Sequence, residues 1–168
     1  AVAGSILGVN PFNQPNVQES KDATSQVLGA YIDSGTLPAI RGMSFEDLLD
    51  QTPPGGYLAI MAYLHQTHMI DEAIGALRRG ILERRRIPTT FGYGPRFLHS
   101  TGQLHKGGKP NGAFLQLVSE ASEVKPIPGQ AYDFEVLVAA QSIGDMEALV
   151  SRKLPASRLT LGVDAANQ

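Results

Sequence analysis

The chemistry this sequence offers begins at Lys21, which closes the stretch Asn10-Pro11-Phe12-Asn13-Gln14-Pro15-Asn16-Val17-Gln18-Glu19-Ser20-Lys21. Pro11 and Pro15 cannot donate to a helix interior, and Asn13 or Gln14 can cap a helix, so the stretch predicts the end of one helix and the start of another. Lys21 then falls in the second turn, where the positive end of the helix dipole disfavours a cation by roughly 0.3–1 kcal/mol. Glu19, Asp22 or an anionic ligand is expected to compensate it. An ammonium under that repulsion gives up a proton more readily, which is useful acid–base chemistry on a sugar. The plainer alternative is a solvated lysine on an exposed helix face.

The other chemistry-bearing residues fall into weaker patterns. Four histidines raise the question of a metal: His65 and His68 are three apart, His99 and His105 six apart. Zinc wants several converging ligands, and with no compact cluster the sequence predicts no metal site. His99 and Ser100 suggest a base and a nucleophile, yet neighbours on a helix point about 100° apart and do not pair, so His99 reads as structural. Gly92-Tyr93-Gly94-Pro95 ahead of a helix is a candidate anion seat, without the third glycine and later acid of a dinucleotide fingerprint. Lys106-Gly107-Gly108-Lys109-Pro110-Asn111-Gly112 does not match phosphate-loop spacing and reads as a flexible surface loop, with a ligand or subunit contact as the alternative. Arg84-Arg85-Arg86 falls at a predicted helix C-terminus, where cations complement the dipole.

The string Asn10-Pro11-Phe12-Asn13-Gln14-Pro15, followed by Val17 and ending at Lys21, resembles the C-terminal signature of glucose-6-phosphate isomerases, written NPFDQPGVExxK. A second string, Gly92-Tyr93-Gly94-Pro95-Arg96-Phe97-Leu98-His99-Ser100-Thr101-Gly102-Gln103-Leu104-His105-Lys106-Gly107-Gly108, resembles the region after that signature in bifunctional transaldolase/glucose-6-phosphate isomerase proteins. With the pattern around the two strings, the resemblance covers essentially the whole chain. It implies that Lys21 is catalytic, opening the sugar ring or holding its oxygen, and that Gln14 binds substrate beside it. It further implies an aldose–ketose isomerase of glucose 6-phosphate and fructose 6-phosphate, working through an enediol without metal or redox cofactor, and serving glycolysis, gluconeogenesis and the pentose phosphate pathway. Asn13, Asn16 and Gln18 stand where the family usually has Asp, Gly and Glu, which weakens any case for an acid at 13 or 18 and leaves Gln14 and Lys21 in place.

The elements that must position these residues are set by periodicity. Residues 1–8 form an almost wholly apolar, helix-length string that wants a partner surface on more than one side, so the sequence reads as the tail of a longer protein. Under the resemblance, the preceding part holds sugar-isomerase (SIS) domains with a phosphate-binding Ser/Thr loop and the catalytic glutamate, joined in bifunctional members by a transaldolase domain. Val17, Leu28, Tyr31 and Ile32 make a thin apolar stripe on a helix that Gly35 and Pro38 end. Ser44 starts a short helix, with Asp47 as its capping partner. Residues 57–64 read as a strand buried on both faces, 67–86 as a helix, and 87–91 as a second strand. A strand over 113–118, a helix over 133–152 with Phe134, Leu137, Val138, Gln141 and Leu149 on one side, and a strand over 158–163 complete the chain. The fold class expected is α/β: a three-layer sandwich with a mostly parallel sheet of about four strands over residues 44–168, preceded by a helical arm over 1–43 that carries the signature.

At 168 residues, 42% hydrophobic and 18% charged, the chain can bury one ordinary core. A net charge of −2 gives no reason to expect nucleic acid or an anionic membrane, and no apolar run approaches the ~20 residues that span a bilayer. The lack of cysteine suits a reducing compartment, and a cytoplasmic location is expected. Two functions remain in view. In the first the chain supplies Lys21 and Gln14 to the isomerase, with a sugar phosphate and the upstream domains as its partners. In the second, residues 44–168 are a non-catalytic module that fixes domain or subunit packing, including a homo-oligomer, with residues 92–108 as interface.

Overall fold

A strand buried on both faces has to be apolar along its whole length, and Tyr57–Tyr63 (β1) meets that condition at the centre of the sheet. The computed structural model describes residues 1–13, 15–40, 42–119 and 124–162. Its sheet is parallel throughout, in the order β2-β1-β3-β4, with β2 at Thr89–Tyr93, β3 at Gly112–Ser119 and β4 at Ala156–Leu161. Ile60 lies between Phe91 and Leu115, and Gln116 lies beside Arg158. The last strand begins two residues earlier than expected, and its expected end, Val163, is outside the described residues.

Parallel strands need crossovers, and these supply the covering layers. On one face, Leu58, Ile60, Ala62, Leu115 and Leu117 meet α3 (Phe45–Asp50) and α4 (His68–Arg85) through Leu48, Leu49, Ile70, Ile74 and Ile81. On the other, Ala59, Met61, Tyr63, Phe114 and Val118 meet Phe97 of a short 3₁₀ turn (Arg96–His99) and Met146 and Leu149 of α6 (Phe134–Ser151). The α/β expectation therefore holds, with helices on both faces of four strands. Helix starts obey local chemistry: Ser44, Thr67 and Asp133 each accept from a backbone N–H three residues on, at 3.1, 3.2 and 2.8 Å.

Two helices differ from the sequence reading. α2 (Pro15–Ser34) packs on the outer side of α6, and its buried residues are Asn16, Val17, Ser20 and Val27, while Ile32 is exposed. The reason is closeness: a Cβ added at Gly144 of α6 would lie 2.7 Å from the Thr24 amide nitrogen. Contact at that range selects small side chains, and the hydroxyls of Ser20 and Thr24 turn back onto their own helix at Asn16 O and Ser20 O. α6 is consequently buried on two sides, through Ala140, Ser142, Ile143, Gly144, Asp145, Met146, Ala148 and Leu149, rather than along the single apolar side expected, and Phe134 is exposed.

The first helix, α1 (Val2–Leu7), buries only Gly4, against the Pro11 ring, and leaves Val2, Ile6 and Leu7 in the open together with Val9 and Phe12. Among the described residues, no helix is long and apolar enough to cross a membrane.

Candidate functional site

The start of α2 is where the two strings quoted above meet, through Asn16 and Gln103. Its first amide nitrogens have no partner inside the helix, so an acceptor must come from elsewhere. For Asn16 that acceptor is remote in sequence: Gln103, on the six-residue helix α5 (Gly102–Gly107), takes the Asn16 N–H on Oε1 at 3.2 Å. Gln103 Nε2 donates in return to Asn16 Oδ1 at 2.6 Å. A Cβ at Gly107 would overlap both Asn16 Oδ1 and Gln103 Nε2, so the amide pair needs a residue without a side chain beneath it. Gln14, the expected substrate-binding residue, lies outside the described residues.

Lys21 stands exposed on α2. Neither acid expected to compensate it does so. The Glu19 carboxylate accepts from Arg152 at 2.6 Å and from Asn16 at 3.4 Å, and Asp22 accepts from Gln18 at 2.8 Å. Helix geometry explains this: residues one or two apart do not face each other, and Glu19 and Lys21 fall on opposite flanks of α2. Arg152 holds the Glu19 carboxyl below its usual range, with help from Asn16 and Lys106 against the effect of burial. Glu19 is thus tied to the end of α6, and Lys21 projects from the other flank.

Beneath α5 lies a polar cluster that the sequence reading missed. Lys106, expected on a flexible surface loop, is buried and donates to Asp145 of α6, which is itself fully buried. Two buried charges are tolerable only as a pair with good geometry. Burial pushes the Asp145 carboxyl up, and Lys106 and Tyr63 pull it back. Tyr63, at the end of β1, has its hydroxyl pushed far up by burial and by the charge of Asp145, although its oxygen and Asp145 Oδ2 do not meet at hydrogen-bonding geometry. His105 is buried among the rings of Tyr57, Phe97 and Phe114, whose centroids are 6.1, 6.0 and 5.3 Å away. Neither of its ring nitrogens has a partner among the described residues. Burial, with the Lys106 charge adding to it, lowers His105 to about 4.

The remaining candidates stand apart from one another. His65 and His99 are exposed, and His68 meets Glu72 at 3.3 Å on the surface of α4. Among the described residues no group of three or more His, Cys, Asp or Glu side chains could hold a metal. Ser100 donates to Phe97 O at 3.0 Å, turned towards its own backbone. Gly92 and Tyr93 belong to β2 rather than to an anion-binding turn; the Tyr93 hydroxyl donates to Asp71 at 2.6 Å, and Arg96 donates to Gln66 at 3.1 Å. Arg85 is spent on Asp50 and Glu46, both at 2.6 Å.

No protein-family model matches the chain, and no curated protein matches it either. Among solved structures the chain is similar to TT0462, a hypothetical protein from Thermus thermophilus, with a TM-score of 0.53 and 17% identity over 68% of this chain. The chain spans 31% of the length of that structure. At that identity the likeness concerns the fold alone.

The build of the site sets its chemical reach. α2 is held on one side by Gln103, along its length by the close contact at Gly144, and on a flank by Arg152. Lys21 is carried, exposed, on that braced helix.

Proposed function

We propose that this chain is the C-terminal part of a glucose-6-phosphate isomerase of the bifunctional transaldolase type, in which Lys21 assists opening of the sugar ring. The observation that supports this best is the interlock of the two strings that resemble that family. Asn16 and Gln103 are 87 positions apart, yet Gln103 accepts from the Asn16 backbone N–H, a bond that the family's usual Gly at this position would also offer, and the helix so anchored carries Lys21 exposed.

In the reaction the C1–O bond of the ring hemiacetal breaks, the ring oxygen takes a proton, and the anomeric hydroxyl gives one up to solvent as it becomes the open-chain carbonyl. A carboxylate then moves a proton between C2 and C1 through an enediol, and the ring closes again. Under this reading Lys21 donates to the ring oxygen, and Gln14, seven positions before it in the sequence, binds the substrate. The base, a glutamate, and the phosphate seat come from upstream SIS domains, and the open apolar side chains of α1 and Phe12 offer those domains a surface. The protein works in the cytoplasm and needs no metal or redox cofactor. This polypeptide by itself is nearly inactive.

In the longest polypeptide the gene encodes, Lys21→Ala is expected to lower kcat by about 10²- to 10⁴-fold with little change in KM for the sugar phosphate. An unchanged kcat would remove Lys21 from the mechanism. The second reading, a packing or homo-oligomer module, draws on the exposed apolar residues of α1, and under it the Lys21 variant turns over normally.

A further inference from the structure

Gln103 is attached to α2 by two hydrogen bonds that run in opposite directions between planar amides, one to the Asn16 backbone and one to its side chain. The backbone bond ties the first turn of α2 to α5, and the side-chain bond orients the Gln103 amide that makes it. The mount is itself rigid, because α5 is pinned into the core by Lys106 on Asp145 and closes over Gly107 without room for a Cβ. No acidic residue occupies the first turn of α2, and the Asn16 amide there takes Gln103 as its acceptor.

We infer that Gln103 is a positioning residue: it sets the roll of the first turns of α2 and so the direction in which Lys21 is presented. This rests on the role proposed for Lys21. A lysine amine stands well out from the helix axis, so a roll of about 10° displaces it by on the order of 1 Å. Misplacement of that size at a reacting group can cost about 100-fold in rate. Gln103 touches no substrate in this account and acts only through the helix.

The test is a double-mutant cycle in the longest polypeptide the gene encodes. Gln103→Leu removes both bonds at nearly constant volume, and Gln103→Glu keeps the acceptor while losing the donor. Gln103→Leu is expected to lower kcat by about 10- to 100-fold with KM changed less than about twofold, and Gln103→Glu to fall between it and the parent. Lys21→Ala/Gln103→Leu should be no slower than Lys21→Ala alone, since the effect of Gln103 passes through Lys21. Amide hydrogen exchange should quicken over residues 17–24 and not in β1 or β3. If Lys21→Ala is inactive while Gln103→Leu turns over normally, or the two losses multiply, or exchange in α2 does not change, the positioning role is overturned and the isomerase reading stands. Should Gln103→Leu fail to fold, Gln103→Glu carries the same comparisons. A Lys21→Ala protein with full kcat overturns the role of Lys21 on which this inference rests, and a parent protein that does not interconvert the sugar phosphates overturns the isomerase reading itself.

Discussion

At the scale of single residues, His105 carries the clearest consequence. The unfolded chain takes up a proton near 6.5, whereas the buried imidazole, facing Lys106 and three aromatic rings, resists it down to about 4. Its folded value is the lower one, so the proton binds first to the unfolded state as pH falls. The cost is absent above 6.5, grows between 6.5 and 4 and levels off below that, reaching about 3 kcal/mol at about 1.4 kcal/mol per pH unit. His105→Phe removes the group, so denaturant unfolding of variant and parent should diverge by that amount between pH 7 and pH 4; parallel curves would contradict a buried neutral imidazole. Little of this was legible in the sequence. Lys106, between a histidine and two glycines, has the composition of a loop, and only the docking of α5 buries it. Asp145 did leave a signal: it is an acid inside a helix whose neighbours Ile143, Met146, Ala148 and Leu149 are apolar, and such an acid requires a buried cation. Gln103 left none, because a lone glutamine on a six-residue helix has no pattern to stand out from.

At the scale of elements, α2 and α6 are joined by contact too close for ordinary apolar side chains. Gly144→Ala puts a methyl group 2.7 Å from the Thr24 nitrogen and 2.9 Å from its hydroxyl, and neither backbone can yield without shifting α2. The expected loss is about 1–3 kcal/mol, read as a Tm lowered by roughly 2–4 °C for each kcal/mol. A Tm equal to that of the parent would show that the helices stand further apart. Periodicity located both helices, and Ser44 and Thr67 announced the starts of α3 and α4 because capping is local chemistry. The buried stripe of α2 was hidden for the opposite reason. Ser20 and Thr24 look polar in sequence, and Ser20 becomes interior and Thr24 half-buried because a glycine on another helix lets them in.

At the scale of the whole molecule, the sheet order β2-β1-β3-β4 reflects strand composition. β1 and β3, apolar along nearly their whole length, take the two central places, and β4, with exposed Leu159 and Thr160, lies at an edge. The parallel arrangement was legible because runs without polar alternation must be covered on both faces. The tertiary seat of α2 was not, since it joins side chains 87 positions apart. That seat brings the signature string against the second string that resembles the bifunctional isomerases, and the functional proposal depends on it. The most direct measurement is conversion of fructose 6-phosphate in deuterated water, catalysed by the longest polypeptide the gene encodes, with and without Lys21→Ala, followed at C2 of the glucose 6-phosphate formed. Deuterium entering the C2 position of the glucose 6-phosphate formed, and lost on removing the amine, is the result predicted. No incorporation by the parent protein, or equal incorporation by both, would contradict it.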